Sequence, residues 1–216
     1  MPSGRVWRDR REAGEELGAA LREQLGRPAE ALVLGLPRGG VDVAAPVALE
    51  LGGELDVLVV RKVGVPWQPE LAAGAVTAAG LRVRNDDVIA HARISDQELE
   101  EAYGQAQTEA RERERLLRGD RPPPRLGGRT VVIVDDGIAT GATIRAAAEL
   151  VASHRPAPEQ VVAAVPVGPR EAIDQLAELV DAVVVLQMPR YFAAVGAWYR
   201  DFSQVTDDEV RATLSR

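Results

Sequence analysis

The chain has 216 residues, 46% of them hydrophobic, with a formal net charge of −7 and no cysteine. That length predicts one domain with a sizeable core, the acidic balance argues against a general nucleic-acid surface, and the missing thiols exclude disulfides, thiolate catalysis and cysteine metal sites. No apolar run approaches a membrane span and Met1-Pro2-Ser3-Gly4-Arg5 carries no apolar signal core, so a cytoplasmic protein without membrane or nucleic-acid partners is expected.

Residues 8–26 place Ala13, Leu17, Ala20, Leu21 and Leu25 at helical spacing, and Gly26 and Pro28 end that amphipathic helix. Its Arg/Glu face reads as solvated, and nothing local shows whether Arg10 reaches a ligand. Ala31-Leu32-Val33-Leu34-Gly35-Leu36 is a first buried strand, ended by Pro37-Arg38-Gly39-Gly40, with a helix over about 41–51. Adjacent glycines let backbone amides approach an anion, and Arg38 offers a fixed fork of donors. A plain strand-to-helix turn with an exposed Arg fits the same residues.

Leu55-Asp56-Val57-Leu58-Val59-Val60 is a second strand, with Arg61-Lys62 expected at its carboxyl end, where α/β ligands sit. Lys62 is the only lysine among 26 Lys and Arg residues. Either a compact ammonium is needed there, or coding bias left one lysine by chance. From Val63 to about Val88 the helical period disappears, and Leu81-Arg82-Val83-Arg84 alternates as a short strand. Gly64-Val65-Pro66-Trp67-Gln68-Pro69-Glu70 is either an acceptor-binding lid or a hairpin whose Trp covers a core.

Ser95-Asp96-Gln97-Glu98 is a capping box that starts a helix over about 96–117, partly solvated and laced by ion pairs. Residues 119–128, with Pro122, Pro123 and Pro124, form a rigid linker. Val131-Val132-Ile133-Val134 is a further buried strand, followed by Asp135-Asp136-Gly137-Ile138-Ala139-Thr140-Gly141-Ala142-Thr143 and a helix from Ile144. Amides and hydroxyls of Thr140, Gly141, Ala142 and Thr143 suit a phosphate at a helix N-terminus. Asp135 and Asp136 would repel a bare phosphate but accept from neutral hydroxyls or bind a metal ion, so a phosphorylated sugar fits both halves. An ordinary capped helix start is the bland alternative. No Lys follows Gly141 as a Walker loop requires, and the spaced glycines of a dinucleotide fingerprint are missing.

Val161-Val162-Ala163-Ala164-Val165 and Ala182-Val183-Val184-Val185-Leu186 add two strands around a helix over about 170–179, which makes a parallel sheet with helices on its faces. Pro166-Val167 and Gln187, Met188 and Pro189 lie at strand ends and are candidates for an acceptor pocket. Aromatics concentrate from Tyr191 to Tyr199 and suggest packing over the sheet edge, a homodimer surface or a base pocket. A short helix begins near Thr206. His91 and His154 have no ligand-spaced companion, so no metal-ligating set is expected.

Residues 131–143 resemble the phosphoribosyl-pyrophosphate signature of type I phosphoribosyltransferases: hydrophobic residues, an acidic pair, three variable residues, then Thr-Gly-x-Thr. The whole chain looks like the stand-alone predicted phosphoribosyltransferases, which share Leu-Pro-Arg-Gly-Gly, Val-Val-Arg-Lys-Val-Gly-Val-Pro and Val-Gly-x-Trp-Tyr-x-Asp-Phe. The resemblance implies an α/β fold with a parallel sheet flanked by helices and a small hood, here a single domain over 1–216 with the hood or lid in 63–90. It implies that Arg38, Gly39 and Gly40 form the pyrophosphate loop. Arg61 and Lys62 resemble the cationic pair of adenine phosphoribosyltransferases that faces the pyrophosphate. Asp135 and Asp136 would hold ribose hydroxyls, and the run from Gly137 through Ala139 to Thr140, Gly141, Ala142 and Thr143 would hold the 5-phosphate. Mg²⁺ is implied as a cofactor coordinated largely by pyrophosphate, sugar hydroxyls and waters.

The implied reaction, in nucleotide metabolism, moves the phosphoribosyl group of phosphoribosyl pyrophosphate to a nitrogenous small-molecule acceptor, with Lys62, Arg61, Asp135 and Asp136 as the catalytic set. Two departures stand out. Ala139 replaces the acidic residue of hypoxanthine-guanine enzymes, as in adenine-type enzymes, and Gly137 is smaller than the usual apolar residue. A regulatory sugar-phosphate or nucleotide sensor and a hydrolase of a phosphorylated sugar are the rival readings.

Overall fold

The computed structural model describes residues 4–65 and 67–215, without the side chains of Pro69 and Glu70. Expectations placed on Met1–Ser3, on Pro66 and on the Glu70 carboxylate lie outside the described residues. The chain opens with α1 (Arg10–Leu25), β1 (Ala31–Gly35), α2 (Gly39–Leu51) and β2 (Glu54–Val57). It then builds β3 (Val60–Val65), β4 (Gln68–Thr77), β5 (Arg82–Arg84), α3 (Asp86–Ala92) and α4 (Asp96–Arg118). It returns through β6 (Thr130–Val134), α5 (Ala142–Ala152), β7 (Gln160–Val167), α6 (Arg170–Ala177), β8 (Ala182–Gln187) and α7 (Asp207–Leu214).

The main sheet has the order β2-β1-β6-β7-β8, with every neighbouring pair parallel. Its strands read as continuous apolar runs because both faces are covered. Alternation divides each run between two cores. Leu32, Leu34, Val131, Ile133, Ala163 and Val165 face α5 and α6, with Ile144, Ala147, Val151, Ile173 and Leu176. Ala31, Val33, Val132, Val134, Val162 and Ala164 face α1 and α2, with Leu17, Leu21, Val43, Val47 and Leu51. Asp9 caps α1 by accepting from the Glu12 amide, and Gly26 ends that helix at φ 70°.

One expected strand is two. The run from Leu55 to Val60 leaves the main sheet after Val57 and enters a separate antiparallel sheet, β3-β4-β5, at Val60. The apolar character is continuous because Leu58 and Val60 pack into the α5 core while Val57 and Val59 pack with α4 and α7. Composition does not reveal the break. β4 and α3 are further elements that the sequence does not announce. β4 is rich in Ala and Gly, which have weak strand preference, and it is a strand because β3 and β5 pair with it. α3 is only seven residues long, too short to print a period, although Asn85 caps it by accepting from the Val88 amide. The capping box expected at Ser95 and Glu98 is present, with both reciprocal bonds formed.

α4 closes one face of the small sheet: Leu99, Tyr103 and Ala106 pack on Val63, Val65, Ala73 and Val76. Its far end is tied to the main sheet by a buried ion pair. Arg118 Nε donates to Asp56 Oδ1 at 2.9 Å and its NH2 donates to the Val57 carbonyl at 2.9 Å, with side-chain exposures of 5% and 4% for the Arg and the Asp. Asp56 Oδ1 also accepts from the Val57 amide, and Glu114 supplies a second carboxylate to Arg118. Removing one partner of such a pair strands a buried charge. Arg118→Ala is therefore expected to lower unfolding stability by about 3–5 kcal/mol in urea titration. Removing the exposed Arg82–Glu100 bridge should cost no more than about 1 kcal/mol.

Candidate functional site

β1 and β6 lie side by side, and the helices that follow them, α2 and α5, pack on opposite faces of the sheet. A crevice therefore opens beyond the carboxyl ends of these two strands, at the switch point of the topology. The Leu36 amide extends the β1–β6 ladder by donating to the Val134 carbonyl at 2.9 Å. That bond brings the Pro37–Gly40 turn alongside Asp135 and Asp136. The glycines are needed for this close approach. A Cβ on Gly39 would overlap the Asp136 carboxylate and come within 2.7 Å of Arg10 Nε. A Cβ on Gly40 would lie 2.7 Å from the Val134 carbonyl oxygen and 3.1 Å from Asp135 Oδ1. Two of the sequence-predicted arms, Arg38-Gly39-Gly40 and the acidic pair, are thus one packed unit.

The pair is confined and crowded. Burial pushes the Asp135 carboxyl well above the usual carboxylate range, and the neighbouring Asp136 charge pushes it further. The Asp136 amide partly offsets this by donating to Asp135 Oδ1 at 2.9 Å. Burial also raises the Asp136 carboxyl, and here Arg10 opposes it through an Nε–Oδ2 bond of 2.7 Å. The Tyr199 hydroxyl donates to the Asp136 carbonyl at 2.6 Å, and burial raises its phenol, with the Asp136 charge adding to the effect. Asp42, half-buried on α2, is raised by burial and lies in the fields of Arg10 and Asp136.

The third arm is the loop into α5. Gly137 explains its own departure from the family pattern: a Cβ there would sit 2.6 Å from Val195 Cγ1, so a residue from the chain's far end fills that volume. Ile138 is buried and its amide donates to the Val167 carbonyl, whereas Ala139, Thr140 and Thr143 are exposed. Gly141 takes a left-handed conformation, φ 72°, as the residue before Ala142, and the Ala142 amide meets Thr140 Oγ1 at a long 3.5 Å. A helix start so lightly capped, with exposed hydroxyls beside it, is an arrangement that can receive an anion.

Arg61 and Lys62 require a correction. They do not follow a strand of the main sheet; they lie inside β3, paired with Val76 and Ala75 of β4. Successive strand residues point to opposite faces. Arg61 faces α4, with its Nε 4.0 Å from Glu109 Oε2. Lys62 shares its face with Val60, which packs against the α5 core, so this ammonium is on the α5 side. The two cations are therefore presented on opposite faces of β3.

Other expectations change as well. Pro166 and Val167 are buried, Val167 among Trp7, Trp198 and Tyr199. Gln187 donates to the Arg5 carbonyl at 2.7 Å and is spent on the N-terminal segment. Trp67 is 58% exposed at the β3–β4 turn and covers no core. Trp198 and Tyr199 take the packing role expected of the C-terminal aromatics. The residues that the sequence does not bring forward are Arg10 and Tyr199, which reach Asp136 from 126 and 63 residues away. No local pattern signals such contacts, although Tyr199 lies within the shared Val-Gly-x-Trp-Tyr-x-Asp-Phe run. A groove of about 840 Å³ between α1, α2 and α7 includes Arg10 and Asp42 but none of the acidic pair or the Thr140–Thr143 loop. No cluster of three or more His, Asp or Glu suited to a metal occurs among the described residues, and no helix there is long and apolar enough to cross a membrane.

Comparison with known proteins gives one answer. Two curated Mycobacterium tuberculosis proteins, from strains CDC 1551 and H37Rv and both named as phosphoribosyl transferases, are 47% identical over 214 residues. The match takes 98% of this chain, which spans about half (47%) of their length. A crystal structure from Thermus thermophilus is 48% identical, covers 97% of both chains and superposes with a TM-score of 0.85. The model of the phosphoribosyl transferase domain matches residues 11–196, and the chain belongs to that family.

Proposed function

We propose that this protein binds 5-phospho-α-D-ribose 1-diphosphate and transfers its phosphoribosyl group to a nitrogenous, nucleobase-like acceptor. The observation that carries the reading is the convergence at the β1–β6 switch point of the Arg38-Gly39-Gly40 turn, the Asp135-Asp136 pair and the start of α5. The 5-phosphate sits on the amides and hydroxyls of Thr140, Gly141, Ala142 and Thr143. Asp135 and Asp136 accept from the ribose hydroxyls, and the glycine turn with Arg38 receives the pyrophosphate.

The residues fit a magnesium ion carried in by the donor rather than a resident one, since the Asp136 oxygen nearest the turn is already bonded to Arg10. When bound with the donor, the ion neutralises pyrophosphate charge. In the transfer step the acceptor nitrogen forms a bond to the anomeric carbon as the bond to the pyrophosphate oxygen breaks, and that oxygen leaves with the electron pair. Lys62 stabilises the charge gathering on the leaving group. Ala139 has no proton-accepting side chain, so the acceptor's proton leaves by another route.

A second reading, binding without turnover, draws support from the direction of Arg61 toward Glu109, which leaves one strand cation instead of two on the α5 face. Incubation with phosphoribosyl pyrophosphate, Mg²⁺ and a panel of nucleobases separates these readings. Pyrophosphate release that depends on one base supports transfer, release without a base indicates hydrolysis, and tight binding without release indicates a sensor.

Asp136→Ala and Lys62→Ala should each lower turnover at least about tenfold. Unchanged rates in both would remove the site assignment. Gly39→Ala should weaken donor binding while the protein stays folded, because its new methyl displaces the Asp136–Arg10 contact. Calorimetric titration with the donor, set beside a thermal melt, checks that result.

A further inference from the structure

The transfer reading asks Asp136 to accept from a sugar, yet this carboxylate does not stand alone. Arg10 Nε donates to Oδ2 at 2.7 Å, with both side chains largely buried, and Oδ1 is left for a hydroxyl. Arg10 is itself gripped on two further sides. Its NH1 donates to the Ser203 carbonyl at 2.9 Å, and its guanidinium carbon lies 3.9 Å from the Phe202 ring centroid. Phe202 stacks on Tyr199 at 5.2 Å, and Tyr199 returns to the site through its bond to the Asp136 carbonyl. With its amide turned to satisfy both groups, Gln204 accepts from the Arg38 guanidinium.

This tail is anchored by the other end of the chain. The Trp7 amide donates to the Trp198 carbonyl at 2.9 Å, the Arg200 amide to the Trp7 carbonyl at 2.8 Å and the Asp201 amide to the Arg8 carbonyl at 2.9 Å. Residues 7–10 and 195–204 therefore meet at the acidic pair, with Val195 filling the space that Gly137 leaves open.

We propose that Arg10, braced by the C-terminal segment Tyr199–Gln204, is a positioning residue of the donor site: it is the counter-ion that fixes Asp136 against the glycine turn and orients its free oxygen toward the sugar. The inference rests on the donor reading above. Its physical basis is the proximity of two confined carboxylates, of which one takes a proton unless a cation is hydrogen-bonded to the pair. Asp135 beside it, Asp42 on α2, and Asp9, Asp201, Tyr199 and Glu209 on the surrounding elements add no positive charge, and Arg38 is directed to Gln204. Arg10 supplies the charge, and its three-sided grip supplies the direction. A protonated Asp136 would accept fewer bonds from the ribose, so losing Arg10 should shift the acid limb of donor binding to higher pH.

The experiment compares wild type with Arg10→Met, Arg10→Lys and Tyr199→Phe. Donor affinity with Mg²⁺ is measured by calorimetry from mildly acid to mildly alkaline pH. The Asp136 carboxyl is followed separately by ¹³C NMR titration of the protein without donor. Arg10→Met is expected to bind the donor at least about tenfold more weakly at neutral pH, the scale of a lost charge-assisted hydrogen bond, with partial recovery as pH rises. Arg10→Lys, which keeps a cation, should stay within about threefold of wild type. Tyr199→Phe should fall between them. Equal losses in the Lys and Met variants with no pH dependence, or undiminished affinity in Arg10→Met, overturn the proposal. If wild type does not bind the donor, the transfer reading fails first, and an Asp136 titration unchanged by Arg10→Met overturns the counter-ion role independently. If Arg10→Met does not fold, the pH profile and titration of Tyr199→Phe against Arg10→Lys carry the same decision.

Discussion

The contact between the Gly39-Gly40 turn and the Asp135-Asp136 pair is the constraint around which the rest of the site is arranged. Parallel pairing of β1 with β6 brings the two strand ends together, and the Leu36–Val134 bond carries the pairing one residue beyond the strand. From there any side chain at 39 or 40 would run into a carboxylate or the β6 backbone. The close approach places two adjacent acids in a confined space, where burial disfavours both charges and each disfavours the other. Two features offset this: the Asp136 amide on Asp135 and the Arg10 guanidinium on Asp136. The first is local to the pair and the second comes from the start of α1, so the pair is fully partnered only when α1 has packed on the sheet.

The hood depends on a second, separate tie. β3, β4 and β5 form a small sheet that α4 covers on one face, and two packed layers of this size bury little by themselves. Arg118 at the end of α4 reaches Asp56 and the Val57 carbonyl, the last residues of the main sheet before the chain crosses into the hood. The anchor therefore grips the crossing point, and the orientation of β3 follows from it. Arg113 on the same helix makes a bidentate bridge to Asp207 at 2.6 Å, which also attaches the start of α7. The hood sheet, α4 and the chain's last helix thus share one set of fixings.

What was legible in the sequence follows from the range of each interaction. The five parallel strands, their helices and the capping box at Ser95 come from local periodicity and local hydrogen bonds, and these read directly. The two runs that the fold packs together, Arg38-Gly39-Gly40 and Asp135-Asp136, stood out because each is contiguous. The break at Val57–Val60 was not, since residues before and after it are equally apolar although they pack in different cores. β4 was hidden because strand pairing, and not residue preference, makes it a strand. Arg10 and Tyr199 look like one more surface Arg and one more tail aromatic until the fold brings both to Asp136. Gly137 has no visible reason until the fold sets Val195 beside it.

Strand alternation also separates the two cations of β3. Because Arg61 and Lys62 are neighbours in β3, one faces α4 and the other the α5 side. Arg61 is placed to meet α4 through Glu109, and the small recess it shares with Glu112, Arg113 and Leu116 lies on that outer side. Pro166 and Val167 at the end of β7 are buried and Gln187 is engaged with the Arg5 carbonyl, whereas Met188 just beyond β8 is exposed.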